Sequence, residues 1–149
     1  DKINRNKALL EKEIEDKPGD DWLKFHLAET RFAASNFEKS RDLYLSIAES
    51  PVLSSVQKEK VWLRLAQTAL KNDDFEEIAK YTSFKSEDKD REGFRRFILG
   101  ISHLASKKFS AAEKELFSKE AAISDLVDKS RLMQTREILK VLKAGAKRL

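Results

Sequence analysis

The chain has 149 residues, 40% apolar and 38% charged, with four Gly, two Pro, no Cys and a formal net charge of +4. That length makes about one domain, the apolar share is enough for a core, and so few breakers argue against an all-β architecture. Disulfide scaffolds, thiolate nucleophiles and Cys-ligated zinc are excluded, and no run reaches the ~18 apolar residues of a membrane span. The expectation is a soluble, mostly helical domain of unassigned compartment.

Because the first residue is Asp1, the chain is expected to be a processed product or an excised piece, stripped of any targeting signal. Its charge is unevenly placed. From Ser130 to Leu149, six basic residues face one acid, a net +5 that leaves the preceding residues at −1. A balanced body argues against a general nucleic-acid surface, which spreads cations over a whole face.

Apolar residues recur at helical spacing almost throughout. A first helix is expected from about Ile3 to Asp16, stopped by Pro18-Gly19, and Asp20 or Asp21 caps a second carrying Trp22, Phe25, Leu27, Ala28 and Phe32. A third holds Phe37, Leu43, Tyr44 and Ile47 before Pro51, and a fourth runs from Val56 to Leu70. A short fifth helix carries Phe75, Ile78 and Tyr81, and the polar stretch Ser83 to Arg91 reads as a linker. Phe94, Phe97, Ile98, Ile101 and Leu104 mark a sixth helix, and Phe109, Ala112, Leu116 and Phe117 a seventh. An eighth is expected from about Ser124 towards Lys143.

One pattern repeats. Leu27-Ala28, Leu65-Ala66 and Leu99-Gly100 are each followed, ten residues after the Leu, by Phe37, Phe75 and Phe109. Five residues after each Leu stands Phe32, Leu70 or Leu104, and the steps between units are 38 and 34. Polar breaks precede each Phe, and two read as capping boxes, Ser35 with Glu38 and Asp73 with Glu76. A small residue after the Leu lets a second helix approach closely, giving helix–turn–helix units that leave one apolar face for a neighbour.

This pattern resembles the tetratricopeptide repeat, with Trp62 at the family's Trp position, Tyr44 at the second-helix aromatic and Pro18 at a closing Pro. Lys24 and Arg96 replace the Trp in the other units, and Pro51 falls one residue early. The resemblance spans roughly Leu9 to Phe117 and implies an all-α, right-handed solenoid of antiparallel helix pairs. The expected layout is an N-terminal helix or half repeat at 1–17, repeats at 20–51, 54–83 and 92–121, and a basic C-terminal capping helix at 124–149.

Catalytic readings find little support. His26 and His103 stand in separate units without a metal-ligand spacing, so two surface or groove-edge imidazoles are expected. Ser55–Lys58 and Ser86–Lys89 match Ser-x-x-Lys without its companion motifs. Asp88 to Gly93 opens like a calcium loop, but the twelfth position is Leu99 where a bidentate Glu is needed. The glycines stand apart, so no phosphate loop exists. No enzyme activity, metal or cofactor is expected.

The resemblance implies instead a concave groove lined by Trp22, Phe25, Glu29, Lys60, Leu63, Gln67, Phe94, Phe97 and Ile101. Phe25 and Glu29 occupy places where the family's carboxylate clamp needs Lys and Asn, which disfavours chaperone C-termini. An apolar, aromatic groove suits an amphipathic helix or an extended apolar peptide of a partner protein, as an adaptor or assembly scaffold. Trp22 and Phe25 alternatively pack on the first helix and fill that groove. Two other classes remain: nucleic acid or an anionic membrane surface bound through Lys140, Lys143, Lys147 and Arg148, or a spacer or self-association domain.

Overall fold

The computed structural model describes residues 1–147, and they are all-helical apart from turns and short connections. In chain order the helices are α1 (Lys2–Asp16), α2 (Asp21–Ala33), α3 (Phe37–Ile47), α4 (Ser55–Lys71) and α5 (Phe75–Tyr81), followed by α6 (Lys89–Ala105), α7 (Phe109–Leu116), α8 (Lys119–Ile123) and α9 (Lys129–Lys147). The chain divides into two compact units, residues 1–68 and 69–149, and the division falls inside α4. It therefore cuts the expected repeat at 54–83 and does not follow the repeat boundaries.

Three turns share one geometry. Ser35, Asp73 and Lys107 take positive φ of 63°, 55° and 60°, the only non-glycine residues described that do so. In each case the next residue's N–H reaches five residues back: Asn36 to the Arg31 carbonyl at 2.8 Å, Asp74 to Ala69 at 2.9 Å, Lys108 to His103 at 2.8 Å. The positive-φ residue itself donates three back, to Phe32, Leu70 and Leu104. These bonds satisfy carbonyls that the ending helix leaves open and turn the chain in two residues. The three sites keep the spacing of the three Leu residues, so the periodicity seen in the side chains is also a periodicity of backbone.

That geometry corrects the expected capping boxes by one residue. Ser35 and Asp73 serve as the left-handed turn residues, not as caps. Asp74 caps α5 by accepting from the Glu77 N–H, and Asn36 makes no side-chain cap bond. A Ser/Gln box does exist at α4, where Ser54 Oγ accepts from the Gln57 N–H and Gln57 accepts from the Ser54 N–H.

In the first unit α2 packs against α1 and α3. Leu23, Phe25, Leu27 and Ala28 of α2 and Tyr44 and Ile47 of α3 are buried, whereas α1 contributes no buried residue. α1 is tied to α2 by Glu11, whose carboxylate accepts from Arg31 at 3.0 Å. Phe32 and Phe37 meet edge to face across the turn, centroids 5.1 Å apart.

In the second unit α6 is central, packing on α5, α7, α8 and α9. Its core joins Phe97 to Ala112 and Leu116 of α7, Val127, and Leu132 and Leu139 of α9. Two glycines bring helices to α6. A Cβ on Gly100 would lie 2.6 Å from Leu116 Cγ, and one on Gly93 would lie 2.1 Å from the Glu120 carbonyl oxygen of α8.

Three expected boundaries move. α6 begins at Lys89, inside the stretch read as a linker and ahead of the repeat start at residue 92, because Asp88 caps it through the Arg91 N–H. The short helix α8 intervenes after α7, capped by Ser118. α9 begins at Lys129 instead of Ser124, because Ser124 ends α8 as an extended cap and Asp128 accepts from the Ser130 and Arg131 N–H groups.

Candidate functional site

Three carboxylates at the start of α6, Asp88, Asp90 and Glu92, each have a structural partner. Asp88 caps the helix, and Asp90 holds the α8–α9 connection by accepting from the Asp125 N–H at 2.8 Å and, through its carbonyl, from Ser124 Oγ at 2.6 Å. Glu92 is buried and accepts from Arg95 at 2.6 and 2.8 Å, from Arg96 at 3.0 Å and from the Ser86 N–H at 3.0 Å. Burial alone would raise the Glu92 pKa, but the donors on Arg95, Ser86 and Arg96 outweigh it and hold the carboxyl at about 2. Arg96 continues to Glu115 and Glu120, so α6, α7 and α8 share one charge network. Among the described residues no group of three His, Asp or Glu side chains is placed to hold a metal ion.

The residues expected to line a groove separate into two sets. Phe25, Leu63 and Phe97 are corrected from groove anchors to core residues, because the fold buries all three. For Phe97, at 4% exposure, the cause is α9: Leu132 and Leu139 pack beside the ring and the Arg131 guanidinium lies 6.0 Å from its centroid. Phe94 and Ile101 are half-buried against the same cluster.

Trp22, Glu29, Lys60 and Gln67 keep accessible surface. Trp22 is 52% exposed, stacks edge-on against His26, and shares a cleft of about 580 Å³ with Val52, which is itself 70% exposed. Val52 lies in the turn after α3, outside any helical periodicity, so no spacing marks it for that place. Glu29 and Gln67 are joined by a residue outside the expected set, Arg64, whose guanidinium donates to Glu29 at 3.2 Å and to Gln67 at 3.1 Å. The same guanidinium lies 4.4 Å from the Phe32 centroid, and the Tyr44 hydroxyl donates to Glu29. Burial first, and then the Glu29 charge, push the Tyr44 phenol far above its ordinary range, so it remains a donor.

The histidines differ. His26 is half-buried between Trp22 and Phe25, and its Nε2 is buried without a hydrogen-bond partner. His103 has its pKa lowered by burial and by the neighbouring Lys108 charge.

The C-terminal basic residues are mostly engaged within their own unit. Lys143 donates to Glu113 at 2.6 Å, Lys140 donates to Glu137 at 3.3 Å, and Arg136 donates to the Leu116 carbonyl at 2.8 Å, closing the end of α7. Lys147 is exposed, and the expected Arg148 lies outside the described residues. In the sequence these cations read as one patch. The acid that neutralises Lys143 is thirty residues away in the chain and has no local signal.

No helix among the described residues is long and apolar enough to cross a membrane. Comparison with protein-family models, with curated proteins and with solved structures gave no match.

Proposed function

We propose that this chain is a non-catalytic protein–protein interaction module, built as a right-handed, tetratricopeptide-like solenoid of helix pairs that α9 caps. The observation that carries the reading is the recurrence of one left-handed turn at Ser35, Asp73 and Lys107, in register with Leu27, Leu65 and Leu99. Repeated helix pairs of this kind bury one face on a neighbour and offer the other to partners. Trp22 with Val52 supplies an exposed apolar anchor, and Lys60 and the Glu29–Arg64–Gln67 cluster supply polar selectivity. Such a surface suits an amphipathic helix or an apolar peptide.

Affinity capture with mass spectrometry, comparing the native chain with a Trp22→Ala/Lys60→Glu variant of equal helicity, tests the proposal. Proteins retained by the native chain and lost by the variant are expected. Identical recovery by both would contradict it.

A second reading, binding of nucleic acid or an anionic membrane through α9, draws on Lys140 and Lys147 beside the exposed Ile138, Val141 and Leu142. It predicts binding that falls steeply with salt and disappears on truncation after Ser130. The internal pairing of Lys143 and Arg136 favours the first reading.

A further inference from the structure

Phe117 closes α7 and remains 42% exposed, although the preceding Leu116 is fully buried. It stands in a groove of about 540 Å³ between α7 and α9, next to Leu139, whose side chain is 1% exposed. Cations surround the ring. The Arg136 guanidinium lies 4.8 Å and the Lys140 ammonium 5.8 Å from its centroid. Lys143 and Lys147 line the same groove against one carboxylate, Glu113.

We infer that this groove docks a short segment of a partner protein in which a large apolar side chain is flanked by Asp or Glu. The apolar residue would pack on Phe117 and Leu139, and its flanking carboxylates would meet Lys147 and Lys140, whose carboxylate partner, Glu137, is itself exposed. Charge complementarity identifies the occupant: lining lysines outnumber the lining carboxylate three to one, so the groove attracts anions. The exposed apolar ring decides between anions. A duplex backbone has nothing to cover it, and a single strand stacks successive bases on several rings where this groove holds one ring beside aliphatic Leu139 and Ala144, whereas an acidic amphipathic peptide brings both an apolar side chain and carboxylates. A second copy of this helix would bring lysines against lysines. The inference rests on the reading of the chain as a protein-binding module but places this contact on α7 and α9, apart from Trp22 and Lys60.

Random-peptide display on the immobilised full chain, followed by fluorescence anisotropy with the selected synthetic peptide, tests it. The expected selection is a large apolar residue flanked by Asp or Glu. Its affinity should fall at least tenfold for a Lys140→Glu/Lys147→Glu variant and for Phe117→Ala, and stay unchanged for Trp22→Ala. Because Phe117→Ala also alters the end of α7, the charge-reversed variant is the decisive one. It should gain binding to a peptide whose acids are replaced by lysines. No enrichment, a selected peptide indifferent to these substitutions, or binding to phosphatidylserine vesicles in place of peptides would overturn the inference. Loss here with intact Trp22-dependent capture would remove this site and leave the wider reading standing. The reverse pattern would do the opposite.

Discussion

At Gly93 and Gly100 a single hydrogen is the only side chain that fits, and the two sites differ in what a larger one would strike. The obstacle at Gly100 is the Leu116 side chain, and at Gly93 it is the backbone of α8. Side chains yield more readily than backbone, so Gly100→Ala should cost about 1–3 kcal/mol and Gly93→Ala more than that. Urea unfolding followed by circular dichroism would rank them. Gly100 was legible in the sequence as the small residue after Leu99. Gly93 was not, because its need arises from α8, a helix too short to leave a periodic signal. Lys107 gives the opposite case. A side chain at φ 60° is strained, so Lys107→Gly should raise stability, by up to about 1 kcal/mol, and a lowered urea midpoint would refute the assignment of that turn.

Glu92 gives the molecule an acid limit. Its folded pKa of about 2 lies below the ordinary carboxylate value, so its contribution is complete above pH 4.5 and is lost as pH falls towards 2. The amount is of order 3 kcal/mol at most. Glu92→Gln should flatten that loss and also lower stability at neutral pH, since buried Arg95 is then left without its carboxylate. His103 adds in the same direction. Its lowered pKa means that acidification below about 6.5 charges the unfolded chain more readily than the folded one. A pH series of urea midpoints for the native chain and Glu92→Gln would separate the two.

The two terminal helices, α1 and α9, differ in their commitment to the fold. α9 buries Leu132, Thr135 and Leu139, and α1 buries nothing. Leu139→Ala should cost about 2–5 kcal/mol, whereas Leu9→Ala, at an exposed site of α1, should change stability by less than about 0.5 kcal/mol. The apolar periodicity made α9 legible as a helix, and Leu132 and Leu139 share a core with Phe97 and Leu116. Its start was not legible, because Ser124 and Asp128 look equally able to cap and only the turn from α8 decides between them. Burial of Phe25, Leu63 and Phe97 was hidden for a related reason. Helical spacing places a residue on a face, but the element that covers the face is set by distant parts of the chain. Phe25→Ala and Phe97→Ala should therefore destabilise the fold by about 3–5 kcal/mol, so lost binding in either variant would not locate a groove.

For the molecule as a whole, the basic tail is less available than the sequence implies. Glu113 neutralises Lys143, Glu137 meets Lys140, and Arg136 is spent on the end of α7. What stays exposed includes two aromatic rings, Trp22 and Phe117, each beside charged side chains. The repeat register was readable because three Leu–small–Phe patterns coincided, and the three left-handed turns now supply the backbone reason for them. On the function proposed above, partner segments are held on exposed side chains of α2 and α4, around Trp22, Lys60 and Gln67. Hydrogen exchange by mass spectrometry on the full chain, with and without a captured partner protein, tests this most directly. The account predicts new protection in peptides covering Asp21–Ala33 and Ser55–Lys71. Unchanged exchange in both of these helices on binding would contradict it.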